Sequence, residues 1–132
     1  MVFADAWFYL ALLDTGDQYH RQAAAWLRSF NGSIVTTRWV LLEVANGLSA
    51  PPFRRHFSAL LASLETDTSV RIIGESDRLF QQGRVLYDQR PDKDWSLTDC
   101  ISFAVMEQEG LREALTGDRH FAQAGFVAVF AE

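Results

Sequence analysis

Cysteine is almost absent from this chain. Cys100 is the only one among 132 residues, which excludes a disulfide within the chain and any zinc site built from several cysteines. A hydrophobic run long enough to cross a bilayer is also lacking, because the apolar stretch from Ala6 to Leu13 is too short and has no basic residue before it. We therefore expect a protein of the reducing cytoplasm, without a membrane partner.

Positive charge is scarce as well. The formal net charge is −5 and the pI is near 5.1, so the chain lacks the overall basic field of a non-specific nucleic-acid binder. Of the 12 basic residues only Lys93 is a lysine. The others are arginines, whose planar fork suits phosphate, although genomic base composition explains the same bias.

Several enzyme motifs are missing. There is no Gly-Lys-Ser/Thr segment, which excludes a P-loop enzyme. The three histidines, His20, His56 and His120, have no spacing typical of zinc ligands. A phosphate-accepting receiver domain needs a lysine at the end of a late strand, whereas Lys93 falls in a predicted loop. None of these three enzyme or regulator classes fits the chain.

What is present predicts one globular α/β domain over residues 1–132. Hydrophobic residues make up 48%, and the 8 glycines and 3 prolines are scattered rather than grouped into a linker. Short apolar runs alternate with amphipathic segments, a pattern typical of a five-stranded parallel sheet in a three-layer α/β/α sandwich. The predicted strands are Val2 to Ala4, Ser33 to Thr36, Val70 to Ile73, Ala114 to Thr116 and Val127 to Phe130. The predicted helices are Ala6 to Leu13, Tyr19 to Phe30, Arg38 to Leu48, Phe53 to Glu65, Ser76 to Gln89 and Leu97 to Glu109.

Four acids stand beside apolar segments, where a charge must be capped, paired or bound to a metal. Asp5 and Asp118 follow predicted strands, at the edge of the sheet where ligands of parallel α/β folds collect. Glu43 is the only charged residue between Arg38 and Arg54. Asp99 lies in the first turn of its predicted helix. Acids gathered at one edge repel each other unless a cation joins them, so the pattern predicts a site for Mg²⁺ or Mn²⁺.

Each acid also has a purely structural explanation, and these alternatives stay open. Asp5 and Asp118 are good N-caps for helices that begin at the next residue. Asp99 completes a capping box with Ser96. Glu43 could pair with an arginine at the flank of a helix that is apolar almost all round and is therefore predicted to be mostly buried. The predicted core stripe of this helix is Val40, Leu41, Val44, Ala45 and Leu48.

The chain resembles the PIN domain family, and most of all the VapC-type toxins of toxin–antitoxin systems. The resemblance covers nearly the whole chain and is carried by four segments. These are Val2-Phe3-Ala4-Asp5, Leu42-Glu43-Val44, Trp95-Ser96-Leu97-Thr98-Asp99-Cys100-Ile101-Ser102-Phe103, and Ala114-Leu115-Thr116-Gly117-Asp118-Arg119-His120-Phe121 followed by Gly125-Phe126.

The resemblance implies a Mg²⁺- or Mn²⁺-dependent endoribonuclease, a small cognate antitoxin that covers the site, and a homodimer. It assigns the catalytic and metal-binding roles to Asp5, Glu43, Asp99 and Asp118. As a mechanism we expect Asp5, Asp99 and Asp118 to hold the first metal ion, while Glu43 orients a water molecule or holds a second ion. The alternative is a catalytically silent module of the same fold that acts by binding protein or RNA.

The chain departs from the family pattern after its first acid. A Ser or Thr often follows that acid, whereas Ala6 and Trp7 stand here. We expect Thr116, Ser96 or Thr98 to supply the missing hydroxyl, and Asp94 is a candidate fifth carboxylate. Basic side chains around the site should guide RNA. The candidates for this role are Arg38, Arg54, Arg55 and Arg119.

Overall fold

The computed structural model describes all 132 residues and contains one five-stranded sheet. All of its paired strands are parallel, in the order β3-β2-β1-β4-β5. The strands are β1 Val2–Ala4, β2 Ile34–Thr37, β3 Val70–Ile73, β4 Glu113–Leu115 and β5 Val127–Ala128. The predicted three-layer α/β/α class is confirmed.

Seven α-helices accompany the sheet, and the six long predicted ones are all present. The helices are α1 Ala6–Leu13, α2 His20–Ser29, α3 Arg38–Gly47, α4 Arg54–Thr66, α5 Asp77–Gln89, α6 Leu97–Glu109 and α7 Arg119–Gln123, with a 3-10 turn at Pro51–Phe53 before α4. None of them combines the length and the apolar character needed to span a bilayer.

Strand boundaries differ slightly from the prediction, most at β5. This strand ends at Ala128 instead of Phe130. The chain nevertheless keeps contact with β4, because the backbone N–H groups of Val129 and Phe130 donate to the carbonyls of Ala114 and Thr116, both at 3.0 Å. The two residues after β5 thus leave regular strand pairing but stay hydrogen-bonded to the edge of the sheet.

The core is formed by the central strands and the inner faces of α1, α3 and α6. Phe3 and Ala4 of β1 are fully buried, as are Ala114 and Leu115 of β4. Buried strands of this kind carry continuous apolar runs because both faces of a parallel sheet are covered. The acids that follow β1 and β4 are therefore fixed at the rim of the most rigid part of the molecule.

A close contact between α5 and α6 positions the start of α6. A Cβ atom at Gly83 would lie 2.9 Å from the backbone nitrogen of Ile101 and 3.0 Å from its Cα. Only glycine lets the two helices approach so closely. Because Ile101 is two residues after Asp99, this contact also fixes where that carboxylate stands.

Helix α3 begins where β2 ends, and Thr37 caps it by accepting a hydrogen bond from the backbone N–H of Val40 at 3.1 Å. Its inner face is buried as predicted, with Val40, Leu41 and Val44 in the core. The expectation of a mostly buried helix is wrong on its outer face, where Leu42, which lies outside the predicted core stripe, is 59% exposed. An apolar sequence does not distinguish a buried face from an apolar surface groove.

Candidate metal centre

Asp5 lies directly after β1 and is only 6% exposed. Its side chain makes no cap bond to α1; instead it accepts a hydrogen bond from the Thr116 hydroxyl at 2.8 Å. Burial, together with the nearby charges of Asp99 and Glu43, raises the pKa of Asp5 to about 7, although the Thr116 hydrogen bond works in the opposite direction. The side chain of Asp5 thus bonds to the residue that follows β4 and does not cap α1.

The Thr116 hydroxyl joins the two strand-end acids. Besides donating to Asp5, Thr116 Oγ1 accepts a hydrogen bond from the backbone N–H of Asp118 at 3.0 Å. Thr116 is fully buried. It therefore supplies beside Asp5 the hydroxyl that Ala6 lacks.

Trp7, the second departure from the family pattern, packs on the loop that carries Asp118. Its ring lies 5.0 Å from that of Tyr19 and 5.3 Å from that of Phe130, measured between centroids. A Cβ atom at Gly117 would lie 2.5 Å from the Trp7 ring. The Trp7 ring consequently packs directly on Gly117, where no other residue would fit, and supports the loop between Thr116 and Asp118.

Asp99 is both a helix cap and a member of the acid cluster. The capping box is present: the Asp99 N–H donates to Ser96 Oγ at 3.0 Å, and the Ser96 N–H donates to Asp99 Oδ2 at 3.1 Å. His120 Nδ1 lies 3.1 Å from the same Oδ2. Burial raises the pKa of Asp99, and hydrogen bonds from His120 and Ser96 work against the rise.

Asp118 caps the short helix α7, as predicted. Its Oδ1 accepts a hydrogen bond from the His120 N–H at 2.9 Å, and His120 Nδ1 lies 3.4 Å from that oxygen. Ligand atoms of Asp99, Asp118 and His120 all fall within 4.8 Å of one another. The structure thus adds His120 to the site, which the search for zinc-type histidine spacing missed. The available signal was its position as the second residue of the helix that Asp118 caps.

Glu43 faces the same cluster from α3. Burial of this half-buried carboxylate raises its pKa, the charges of Asp99 and Asp118 raise it further, and the Thr98 hydroxyl opposes them. No arginine forms an ion pair with Glu43. The alternative explanation by an arginine partner is therefore wrong.

Two of the four predicted acids, Asp99 and Asp118, form a close group with His120, and charge repulsion links Asp5 and Glu43 to this group. The chemistry of the four carboxylates fits a hard divalent cation. Carboxylate oxygens are the ligands that Mg²⁺ and Mn²⁺ prefer, and a cation would relieve the repulsion that raises several of their pKa values. Asp94 does not join them; it is exposed and lines a neighbouring cleft.

The two flanks of the acid cluster differ. Beside α3 lies a mainly apolar groove of about 460 Å³, with Arg38 and its ion-pair partner Glu75 at its edge. Beside the start of α6 lies a cleft of about 880 Å³ that is lined by several charged side chains. Arg54, another predicted RNA guide, donates to the Ser49 carbonyl instead. The cations of the larger cleft are different residues from the predicted guides.

Comparison with known proteins agrees with this architecture. The sequence profile of the PIN domain family matches residues 2–127. The chain is 31% identical to the 23S rRNA-specific endonuclease VapC20 of Mycobacterium tuberculosis over the full length of both proteins. This chain belongs to the PIN domain family.

Solved structures show the same fold. The crystal structure of M. tuberculosis VapC20, described as a sarcin-ricin loop cleaving toxin, matches with a TM-score of 0.89 and 29% identity, over 98% of both chains. VapBC2 from Rickettsia felis, bound to a promoter DNA fragment, matches with a TM-score of 0.65 and 14% identity over 97% of both chains. A toxin–antitoxin complex from Klebsiella pneumoniae matches with a TM-score of 0.63 and 18% identity, over 90% of this chain and 88% of that one. The last two likenesses concern the fold alone.

Proposed function

We propose that this chain is a divalent-metal-dependent endoribonuclease and the toxin of a toxin–antitoxin pair. The observation that carries the proposal is the convergence of Asp5, Glu43, Asp99 and Asp118 at the carboxyl edge of the sheet. The charge repulsions that raise the pKa values support it: they link Asp5 with Asp99 and Glu43, and they link Asp118 with Asp99 and Glu43. The whole-length relationship to an RNA endonuclease supports the same activity.

In this proposal Asp5, Asp99 and Asp118 hold Mg²⁺ or Mn²⁺, and Glu43 orients the attacking water or holds a second ion. When bound, such a cation makes water more acidic and offsets charge on the scissile phosphate. Thr116 fixes Asp5, and Ser96 fixes Asp99, so both carboxylates are oriented before the cation arrives. Glu43 has a raised pKa, which suits a group that accepts a proton from water.

The proposed substrate is structured RNA, and the sarcin-ricin loop of 23S rRNA is the first candidate. This choice rests on the relative that cleaves it, to which the chain is similar over its full length. The proposed protein partner is a small cognate antitoxin, because that relative is a toxin and a protein of the same fold occurs in a toxin–antitoxin complex. A homodimer stays a prediction.

The test uses antitoxin-free protein and two RNAs: a hairpin with the sarcin-ricin loop sequence and an unstructured strand. Cleavage is measured in Mg²⁺, in Mn²⁺ and in EDTA. The Asp99→Asn variant is compared with Asp67→Asn, which makes the same chemical change at an exposed residue before β3, at the opposite edge of the sheet. Both variants are checked for folding by circular dichroism.

We expect cleavage that needs the metal, is lost in Asp99→Asn and persists in Asp67→Asn. Cleavage in EDTA, or equal activity of the two variants, would contradict the proposed mechanism. Binding of RNA or antitoxin without cleavage under any condition would favour the catalytically silent module instead.

A further inference from the structure

The cleft of about 880 Å³ beside the start of α6 has several cationic side chains in its walls, and it is larger than the other clefts described. Its walls come from the second half of α5, the segment 90–96 and the first turn of α6. Arg84, Arg90 and Lys93 line it, and so does Ser96. Ser96 holds Asp99 through both its hydroxyl and its N–H group, so one residue connects the wall of the cleft with the proposed metal site, although none of the four acids lines the cleft itself.

Two of the three cations are placed by one buried ring. The guanidinium carbon of Arg90 lies 5.2 Å from the centroid of Trp95, and Lys93 Nζ lies 5.9 Å from it. Trp95 is 5% exposed, and its Nε1 donates to Gln123 of α7 at 3.1 Å. The ring thus ties the cationic segment to the helix that carries His120, and cation–π attraction keeps the charges near it.

These cations remain available to a ligand. Arg84 pairs with Asp88 at 3.2 Å and Arg90 with Asp92 at 2.9 Å, and all four side chains are 40% exposed or more. The exposed single-contact pair of Arg84 contributes little, so a phosphate can replace the carboxylate there. Arg90 holds Asp92 through Nε and Nη2, which is a stronger two-point contact, and its Nη1 makes no hydrogen bond within the protein and stays available to a phosphate. Lys93 forms no ion pair at all. The exposed carboxylate of Asp94 is the one opposing charge on the wall without an ion-pair partner.

We propose that this cleft binds the sugar–phosphate backbone of the RNA next to the scissile bond, with Lys93 and Arg90 as phosphate contacts. The inference rests on the proposed function and adds the path of the substrate. A chain of net charge −5 needs a local cationic track to bring RNA to an acidic site. Three residues from Lys93 to Ser96 span at most about 10 Å, so contacts at Lys93 lie within a few nucleotides of the metal site.

Tyr87 extends the cleft with an aromatic surface. It is 48% exposed and lies on the same wall as Arg84 and Arg90. An exposed ring beside phosphate-binding cations is the arrangement on which unpaired bases stack. We therefore assign the cleft to a segment of the RNA whose bases are unpaired, as in a loop.

The experiment measures binding of the sarcin-ricin hairpin by fluorescence anisotropy over a series of salt concentrations. All proteins carry Asp99→Asn so that the RNA stays intact. Lys93→Gln is compared with Lys93→Arg, which keeps the charge, and with Arg112→Gln. Arg112 is exposed, has no ion-pair partner and stands before β4 at the opposite edge of the sheet, so its variant loses the same charge elsewhere. Asp94→Asn removes the opposing charge.

We expect Lys93→Gln to weaken binding several-fold at low salt and to reduce the slope of log affinity against log salt by about 0.7 to 0.9, the value of one phosphate contact. Lys93→Arg and Arg112→Gln should keep the slope, and Asp94→Asn should tighten binding. If Lys93→Gln and Arg112→Gln give the same slope, the cleft does not bind the backbone.

Cleavage by the protein without Asp99→Asn is measured in parallel to separate this inference from the proposed function. Metal-dependent cleavage together with an unchanged Lys93→Gln slope would overturn the assignment of the cleft and leave the nuclease intact. Binding that depends on Lys93, without cleavage under any metal condition, would overturn the nuclease and support the cleft as an RNA-binding surface.

Discussion

Asp5 and Asp118 stand at the ends of neighbouring strands and share one hydroxyl, yet their surroundings are opposite. Asp5 is 6% exposed, and burial raises its pKa to about 7. The side chain of Asp118 is 35% exposed, and its carboxylate accepts a backbone hydrogen bond at the start of α7. One acid is therefore costly to ionise, and the other is stabilised as an ion by water and by a helix.

The difference indicates how the site is built. A helix terminus satisfies Asp118 whether or not a cation is bound. The hydrogen bond from the Thr116 hydroxyl does not offset the burial of Asp5, whose pKa stays raised, so a cation would stabilise its charge. The ionisation of Asp5 should consequently depend on metal and pH, while the position of Asp118 should depend mainly on the local structure of α7.

The largest effect expected is on cleavage, from Asp5→Asn and Asp118→Asn. Both remove a proposed ligand and should lower kcat/KM by at least about 100-fold. Residues that only orient a ligand typically cost about 10- to 100-fold, and the loss of a ligand itself should be as large or larger. The effects of the two variants on stability in EDTA above pH 7 should separate them. Asp5→Asn removes a buried charge and should raise the melting temperature, whereas Asp118→Asn keeps a side-chain oxygen for the cap and should change it little.

Equal melting temperatures for the two variants in EDTA would contradict the contrast between the buried and the exposed acid. The Asp67→Asn protein again serves as the control, because it should change neither kcat/KM nor the response to metal.

The second effect concerns stability against pH in EDTA. Because the pKa of Asp5 is about 7 in the folded chain and 3.8 as a model value, the folded state binds more protons between these values. The free energy of unfolding should therefore fall as pH rises from about 4 to 7, by an amount on the order of a few kcal/mol. The raised pKa values of Asp99 and Glu43 act in the same direction.

Chemical denaturation across that pH range, with and without Mg²⁺, tests this dependence. Mg²⁺ should restore stability at pH 8 and have little effect at pH 4, because protonated carboxyls bind cations poorly. The difference between the wild-type chain and Asp5→Asn isolates the contribution of Asp5. Identical pH profiles for these two proteins in EDTA would contradict the burial argument.

Much of this arrangement is predictable from the sequence, because strand ends are local features. Asp5 and Asp118 follow apolar runs that can only be buried strands, and parallel strands bring their carboxyl ends to one edge. The capping box at Ser96 and Asp99 is likewise local and is confirmed. Glu43 was found because a charge interrupts an apolar helix.

The rest depends on contacts between distant segments. The hydrogen bond from Thr116 to Asp5 spans 111 positions, and no local pattern selects Thr116 over Thr98 or Ser96 as its donor. The cleft around Lys93 arises from packing of α5 on α6, so the sequence pointed to other basic residues. The exposure of Leu42 was missed for the same reason, since periodicity cannot tell core from groove.

The third expected effect is the loss of activity when the Thr116 hydroxyl, which bonds to Asp5 and to the Asp118 N–H, is removed. Thr116→Val keeps the shape of the side chain and removes both of its hydrogen bonds, to Asp5 and from the Asp118 N–H. Loss of such an orienting partner typically costs 10- to 100-fold in activity or metal affinity, and we expect kcat/KM to fall by about that factor. Thr116→Ser keeps the hydroxyl and should retain most activity. Equal losses in both variants would mean that packing of the methyl group matters, not the hydrogen bonds.

The smallest effect expected is that of His120. Its Nδ1 lies 3.1 Å from Asp99 Oδ2, so this nitrogen faces the carboxylate, and only Nε2 would have a lone pair for a metal ion. We expect His120 to orient Asp99 through Nδ1 rather than to coordinate the cation through Nε2. His120→Gln should weaken binding of Mg²⁺ and Mn²⁺ by the same factor, about tenfold or less, with His56→Gln on α4 as the matched control. A direct nitrogen ligand would instead favour the transition metal. Isothermal titration with both ions separates the two roles, because a greater loss for Mn²⁺ than for Mg²⁺ would show that the imidazole itself binds the cation.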